Sequence, residues 1–101
     1  MGASIQERAR KAKRVEVSIP TTMLRASGEL QAMELRDLSF YGFKAQGDPL
    51  PAAGEYVKVA LPNIGAVRAR VSWVRGGFFG GAFPTAVDVR KCLGKPELRR
   101  A

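Results

Sequence analysis

Two short groups of residues have types and spacing suited to chemistry. Arg10-Lys11-Ala12-Lys13-Arg14 sets two guanidinium groups four residues apart. A guanidinium fork grips phosphate bidentately, pairs with the O6/N7 edge of guanine and stacks on a base plane. An offset of four keeps Arg10 and Arg14 on one side, about one turn apart in a helix and at even spacing in an extended chain. The second group is Asp37-Leu38-Ser39-Phe40-Tyr41-Gly42, a carboxylate, a short hydroxyl and a glycine within six residues. Asp37 accepts hydrogen bonds, and Ser39 both donates and accepts. No histidine and no positioned lysine stands beside them to act as a base, so the pair points to binding, not to nucleophilic catalysis.

These groups need strands to hold them. Val15, Val17 and Ile19 alternate with Glu16 and Ser18, the period-two signature of a half-buried strand, and Thr21–Leu24 continues it past Pro20. In an extended register Arg10 and Arg14 share parity with the outward Glu16 and Ser18, so their site belongs on an outer surface. Glu29–Leu38 reads as a second strand. Leu35 and Leu38 cannot share one face of a regular strand, which predicts a bulge near Asp37 and leaves the direction of Asp37 open. Ser39–Gly42 reads as a tight turn with Gly42 at positive φ, and Phe43–Ala45 as a short return. Gly47–Gly54 is a loop. Tyr56–Leu61 and Ala66–Val74 alternate strongly, with Val67, Ala69, Val71 and Trp73 opposing Arg68, Arg70 and Ser72. That phase predicts Trp73 in the core and the two arginines on a solvated face. Phe78–Phe83 returns as a strand whose Gly80 and Gly81 mark a bend or a close approach. Thr85–Leu93 is predicted as a short helix with Thr85 as its cap. Short strands at this spacing, separated by Gly/Pro turns, describe a small antiparallel barrel or sandwich.

With 101 residues the chain has room for one small domain. Its net charge of +8 is unevenly placed. Residues 1–14 hold five basic side chains and one acidic, residues 90–101 the same, and residues 15–89 hold seven of each. The expected organisation is a flexible basic arm (1–14), a barrel with a short helix (15–93) and a basic tail (94–101). Charge gathered on the ends is a poor nucleic-acid track, which would be spread over the folded surface. The absence of histidine removes the commonest acid/base group and metal ligand, so no metal is expected. Cys92, the single cysteine, is expected as a small, partly buried apolar residue in a reducing compartment. No run approaches the ~18–20 apolar residues of a membrane span, and no signal peptide is evident, so the expected location is the cytoplasm without membrane insertion.

An RxxxR directly before the first strand, followed by DxSxxG at the end of the second, resembles the PilZ domain family of bacterial cyclic di-GMP receptors. The likeness extends over nearly the whole chain, from Arg14–Pro20 through the Trp73 strand to Gly80–Phe83. It implies an all-β, six-stranded antiparallel barrel followed by a helix, with no cofactor and no enzymatic activity. It also implies that Arg10, Arg14, Asp37, Ser39 and Gly42 bind cyclic di-GMP. In that reading the arginines take phosphate and guanine edges, and Asp37 accepts from guanine N1–H and N2–H. Ser39 bonds base or phosphate, and Gly42 shapes the turn and keeps the surface clear. Arg8 is an additional candidate contact. With no second domain in the chain, output passes to a separate, unidentified effector protein. Two other readings stay beside this one: a PilZ-like interaction module without nucleotide binding, and a basic β-barrel that binds nucleic acid.

Overall fold

The computed structural model describes residues 14–93. Arg8 and Arg10, with the rest of the N-terminal arm before Arg14, and the tail 94–101 lie outside the described residues. Six strands form: β1 (Val15–Leu24), β2 (Leu30–Ser39), β3 (Gly42–Gly47), β4 (Tyr56–Leu61), β5 (Gly65–Arg75) and β6 (Phe78–Ala82), then the one-turn helix α1 (Arg90–Leu93). They close into an antiparallel barrel in the order β1-β2-β3-β6-β5-β4. This is the expected all-β barrel with a short C-terminal helix.

The topology is two three-stranded meanders. β1-β2-β3 and β4-β5-β6 are each built from consecutive hairpins, and the two meet twice. β3 pairs with β6 along its length, from Gly42↔Ala82 to Gln46↔Phe78. β1 pairs with β4 only at Met23↔Val59 and Leu24↔Lys58. Local sequence explains the hairpins. Gly76 and Gly77, at φ 61° and 85°, form the two-residue loop between Arg75 and Phe78. Positive φ at both central residues gives the turn a twist matching that of the strands it joins.

Alternation fills the interior. Met23, Leu35, Leu38, Ala45, Val59 and Phe79 are fully buried, with Val57, Leu61, Ala69 and Val71 nearly so. Phe43 packs edge-on against Phe79 at 6.0 Å between ring centres and lies tilted beside Phe83 at 5.9 Å. Residues outside the strands seal the barrel end, Val89 and Cys92 among them. Cys92 is buried more fully than the partial burial expected, and burial pushes its thiol up from its ordinary value.

Arg25 and Glu55 staple the first hairpin to the strand that follows the long loop. The guanidinium donates twice to the carboxylate, at 2.8 and 3.0 Å, and also to Gln31 Oε1 at 2.9 Å. Glu55 also accepts from the backbone N–H groups of Ala26 and Ala52, each at 3.1 Å. Chiefly through the Arg25 hydrogen bonds, its carboxyl is held down at about 2.

Two local expectations fail. The helix does not begin at Thr85. Val87 N–H bonds to the Phe40 carbonyl at 2.8 Å, which keeps this segment laid on the β2–β3 turn. The Asp88 carboxylate accepts from Arg90 N–H at 3.2 Å, so Asp88 rather than Thr85 caps the shorter α1. Trp73 is not in the core either: it is 40% exposed. The β5–β6 register slips between Val71 and Trp73, so Ser72 and Trp73 both face outward.

Candidate functional site

The register assembles a surface strip from four strands. Asp37 on β2 stands opposite Lys44 on β3, Lys44 opposite Gly80 on β6, and Gly80 opposite Trp73 on β5. At about 4.8 Å per strand, Asp37 and Trp73 are roughly 14 Å apart along this row. A second row begins at Ser39 and Gly42 and continues through Ala82, beyond the groove, to Arg70 and Tyr56. Between the two rows, Leu38, Phe43 and Val71 are buried in the barrel. The rows frame an outward groove of about 220 Å³ in which Arg14, Asp37, Ser39, Gly42 and Trp73 all take part.

Bulges make this arrangement possible. Leu35 pairs with Ala45 and Asp37 with Lys44, so Arg36 is the extra residue on β2. Arg36 is exposed and Asp37 half-buried, while Leu35 and Leu38 on either side stay in the core. The bulge expected near Asp37 is present, and it turns Asp37 to the groove. On its other side Asp37 faces Glu16 of β1. Two carboxylates in directly opposed positions repel, so a cation placed between or above them is favoured. Arg14, two residues before Glu16, lines the same groove.

Ser39 is already engaged. Its Oγ accepts from Tyr41 N–H at 3.2 Å and reaches the Gly42 carbonyl at 3.4 Å. Because the stronger of these is an accepted bond, the hydroxyl serves the turn first and retains capacity for a further partner. Gly42 serves the site differently from expectation. Its φ is not positive. It is glycine because β6 comes so near: a Cβ there would lie 2.3 Å from the Gly81 carbonyl oxygen. The turn is anchored from behind, since Phe83 N–H bonds to the Tyr41 carbonyl at 2.9 Å and the Arg90 guanidinium lies 5.5 Å from the Phe40 ring centre.

Trp73 and Lys44 are the groove residues that sequence reading missed. Trp73 was assigned to the core by alternation, and the glycine opposite it was the available signal. Gly80 carries no side chain, so the indole lies over it, and a Cβ there would stand 2.3 Å from the indole Nε1. Lys44 sits with its ammonium 4.8 Å from the Phe78 ring centre. Arg68 and Arg70 are exposed as expected, each about 5.7–5.8 Å from the Tyr56 ring centre. Among the described residues no cluster of three or more His, Cys, Asp or Glu could hold a metal, and no helix is long and apolar enough to cross a membrane.

No curated protein matches the chain closely. Comparison with protein families matches residues 8–93 to the PilZ domain, a span that takes in both motifs and every strand. With that match over most of the chain and the closed six-stranded barrel it predicts, the chain belongs to the PilZ domain family, in general the receptors of cyclic di-GMP.

Proposed function

We propose that this protein binds cyclic di-GMP through Arg10, Arg14, Asp37, Ser39 and Gly42, with Arg8 as an additional contact. The observation that carries the proposal is the convergence of Arg14 and the Asp37–Gly42 stretch, from two separate places in the chain, on one outward groove. A two-phosphate, two-guanine ligand suits that chemistry. Asp37 offers a guanine the acceptor it needs, and arginine forks meet phosphate oxygens and base edges. The exposed indole of Trp73 supplies a flat face for stacking at the far end of the strip. Arg10 and Arg8 add two further guanidinium groups from the segment before Arg14.

The protein is a sensor without catalysis. The barrel reports occupancy to a separate effector protein in the cytoplasm, which binds the ligand-bound and ligand-free forms differently. Calorimetric titration tests the binding step, with GTP and cyclic di-AMP as controls. Arg10→Ala, Arg14→Ala and Asp37→Ala each weaken cyclic di-GMP at least tenfold while the circular dichroism spectrum is retained. Unchanged affinity in all three variants overturns the site assignment.

A further inference from the structure

The balanced charge of the barrel hides a polarity. Residues 15–55, which form β1-β2-β3 and the following loop, hold six acidic and three basic side chains. Residues 56–87, which form β4-β5-β6, hold Lys58, Arg68, Arg70 and Arg75 and no carboxylate at all. Because the strand order places β6-β5-β4 together, that half-wall carries cations alone, while the β1-β2-β3 strands mix Glu16, Glu34 and Asp37 with Arg36 and Lys44.

Three of those cations share one outward patch with apolar side chains. The register runs Leu30, Leu24, Lys58, Arg68 across β2, β1, β4 and β5, a span of roughly 14 Å. Two residues along, Tyr56 stands opposite Arg70. Leu30 is 64% exposed and Tyr56 56%, the most exposed large hydrophobic side chains of the described residues. Among the described residues no carboxylate ion-pairs with Lys58, Arg68 or Arg70; the two ion pairs found there join Arg25 to Glu55 and Arg90 to Asp88.

We propose that this β4–β5 face, extended by Leu24 and Leu30, docks an acidic protein segment that carries apolar side chains. Uncompensated cations ask for carboxylates, and the leucines and Tyr56 ask for an apolar anchor between them. Tyrosine and arginine in one exposed patch are the residues that most often carry binding energy at protein interfaces. An extended polyanion fits less well. Only half of the barrel is uniformly basic, and a duplex crossing this face would run onto strands that hold the carboxylates Glu16, Glu34 and Asp37. A short acidic segment stays within the patch and gains from complementarity without that repulsion. This surface stands independently of nucleotide binding, since none of Leu24, Leu30, Tyr56, Lys58 or Arg68 lines the groove at Asp37 and Ser39.

The test uses the full chain at 0.15 M salt and a fluorescein-labelled 12-residue peptide of Asp and Glu with two central leucines. A 12-base-pair DNA duplex is the competitor. Binding measured by fluorescence anisotropy weakens at least tenfold in the double variant Lys58→Glu/Arg68→Glu, whose cyclic di-GMP titration stays as in the unmodified chain. Amide chemical-shift changes on adding peptide cluster at Leu24, Leu30, Tyr56, Lys58, Arg68 and Arg70. The shift mapping on the unmodified chain, together with the milder Lys58→Gln/Arg68→Gln variant, decides the matter should the charge reversal fail to fold. Three results overturn the proposal: less than a twofold change in either double variant, shifts confined to residues 1–14 and 94–101, or duplex DNA taking these residues more tightly than the peptide.

Discussion

The indole of Trp73 rests on the bare backbone of Gly80, in a place that no Cβ could share with it. The contact explains why a large aromatic stands outside a well-packed barrel. Here β6 provides a flat floor rather than a side chain, and the indole covers it beside Lys44 and, further along the row, Asp37. Trp73 is also the sole tryptophan of the chain. Tryptophan fluorescence, excited selectively over Tyr41 and Tyr56, therefore reads this groove. Cyclic di-GMP titrated into the protein quenches or shifts that emission with the midpoint found by calorimetry. Gly80→Ala forces the indole away, so the optical response shrinks and affinity falls several-fold. An emission spectrum indifferent to saturating ligand removes Trp73 from the site.

Gly42 and Gly28 separate two reasons for glycine. At Gly28, φ is 96° and a Cβ would meet nothing within 4 Å, so alanine costs backbone strain of about 1 kcal/mol. At Gly42 the φ is unremarkable, but a Cβ collides with the backbone of β6, which cannot move without parting the two meanders. Gly42→Ala is expected to cost about 3 kcal/mol, the upper end for overpacking. Thermal or urea unfolding of the two variants should rank Gly42→Ala well below Gly28→Ala. The reverse order means that β6 yields to the methyl group.

Glu55 supplies a pH dependence with a defined sign. Its carboxyl titrates near 2 in the folded protein, below its ordinary 4.5, so the folded state favours the ionised form. The contribution is complete above about pH 4.5 and is lost as pH falls toward 2, with an upper bound of about 3 kcal/mol. Asp88 is held low as well, by Arg90, but on the surface where solvent screens the pair. Urea unfolding of Glu55→Gln is expected to show lower stability than the unmodified protein at pH 7 and a smaller loss between pH 4.5 and 2.5. A slope equal to that of the unmodified chain assigns the acid sensitivity elsewhere.

Alternation and turn residues made most of the barrel readable. Tyr56–Leu61 is found at the predicted bounds, and the slip between Leu35 and Leu38 announced a real bulge because two buried leucines bracket it. The bulge at Ser72 gave no such warning. Val71 and Trp73 are both large and apolar, so the sequence looks regular where the strand turns its face. Only Gly80, two strands from Asp37 in the row but distant from it in sequence, explains where the indole goes. The motif residues were readable as a group, since Asp37, Ser39 and Gly42 lie within one hairpin. Their neighbour across β6 was not, because β3–β6 pairing joins parts of the chain more than thirty residues apart. The helix failed for a similar reason: the Phe40 carbonyl claims Val87 N–H, and no local propensity records such a contact.

The meander architecture gives the groove a mechanical meaning. The first three strands and the last three meet along β3–β6 and over a shorter stretch at Met23 and Leu24, which Thr21 and the Arg25–Glu55 pair reinforce, so β3–β6 is the longer of two seams. The groove lies astride that seam, with Asp37, Ser39 and Lys44 on one meander and Ser72 and Trp73 on the other. A nucleotide spanning from Asp37 to Trp73 would act as a clasp across the longer of the two seams that close the barrel.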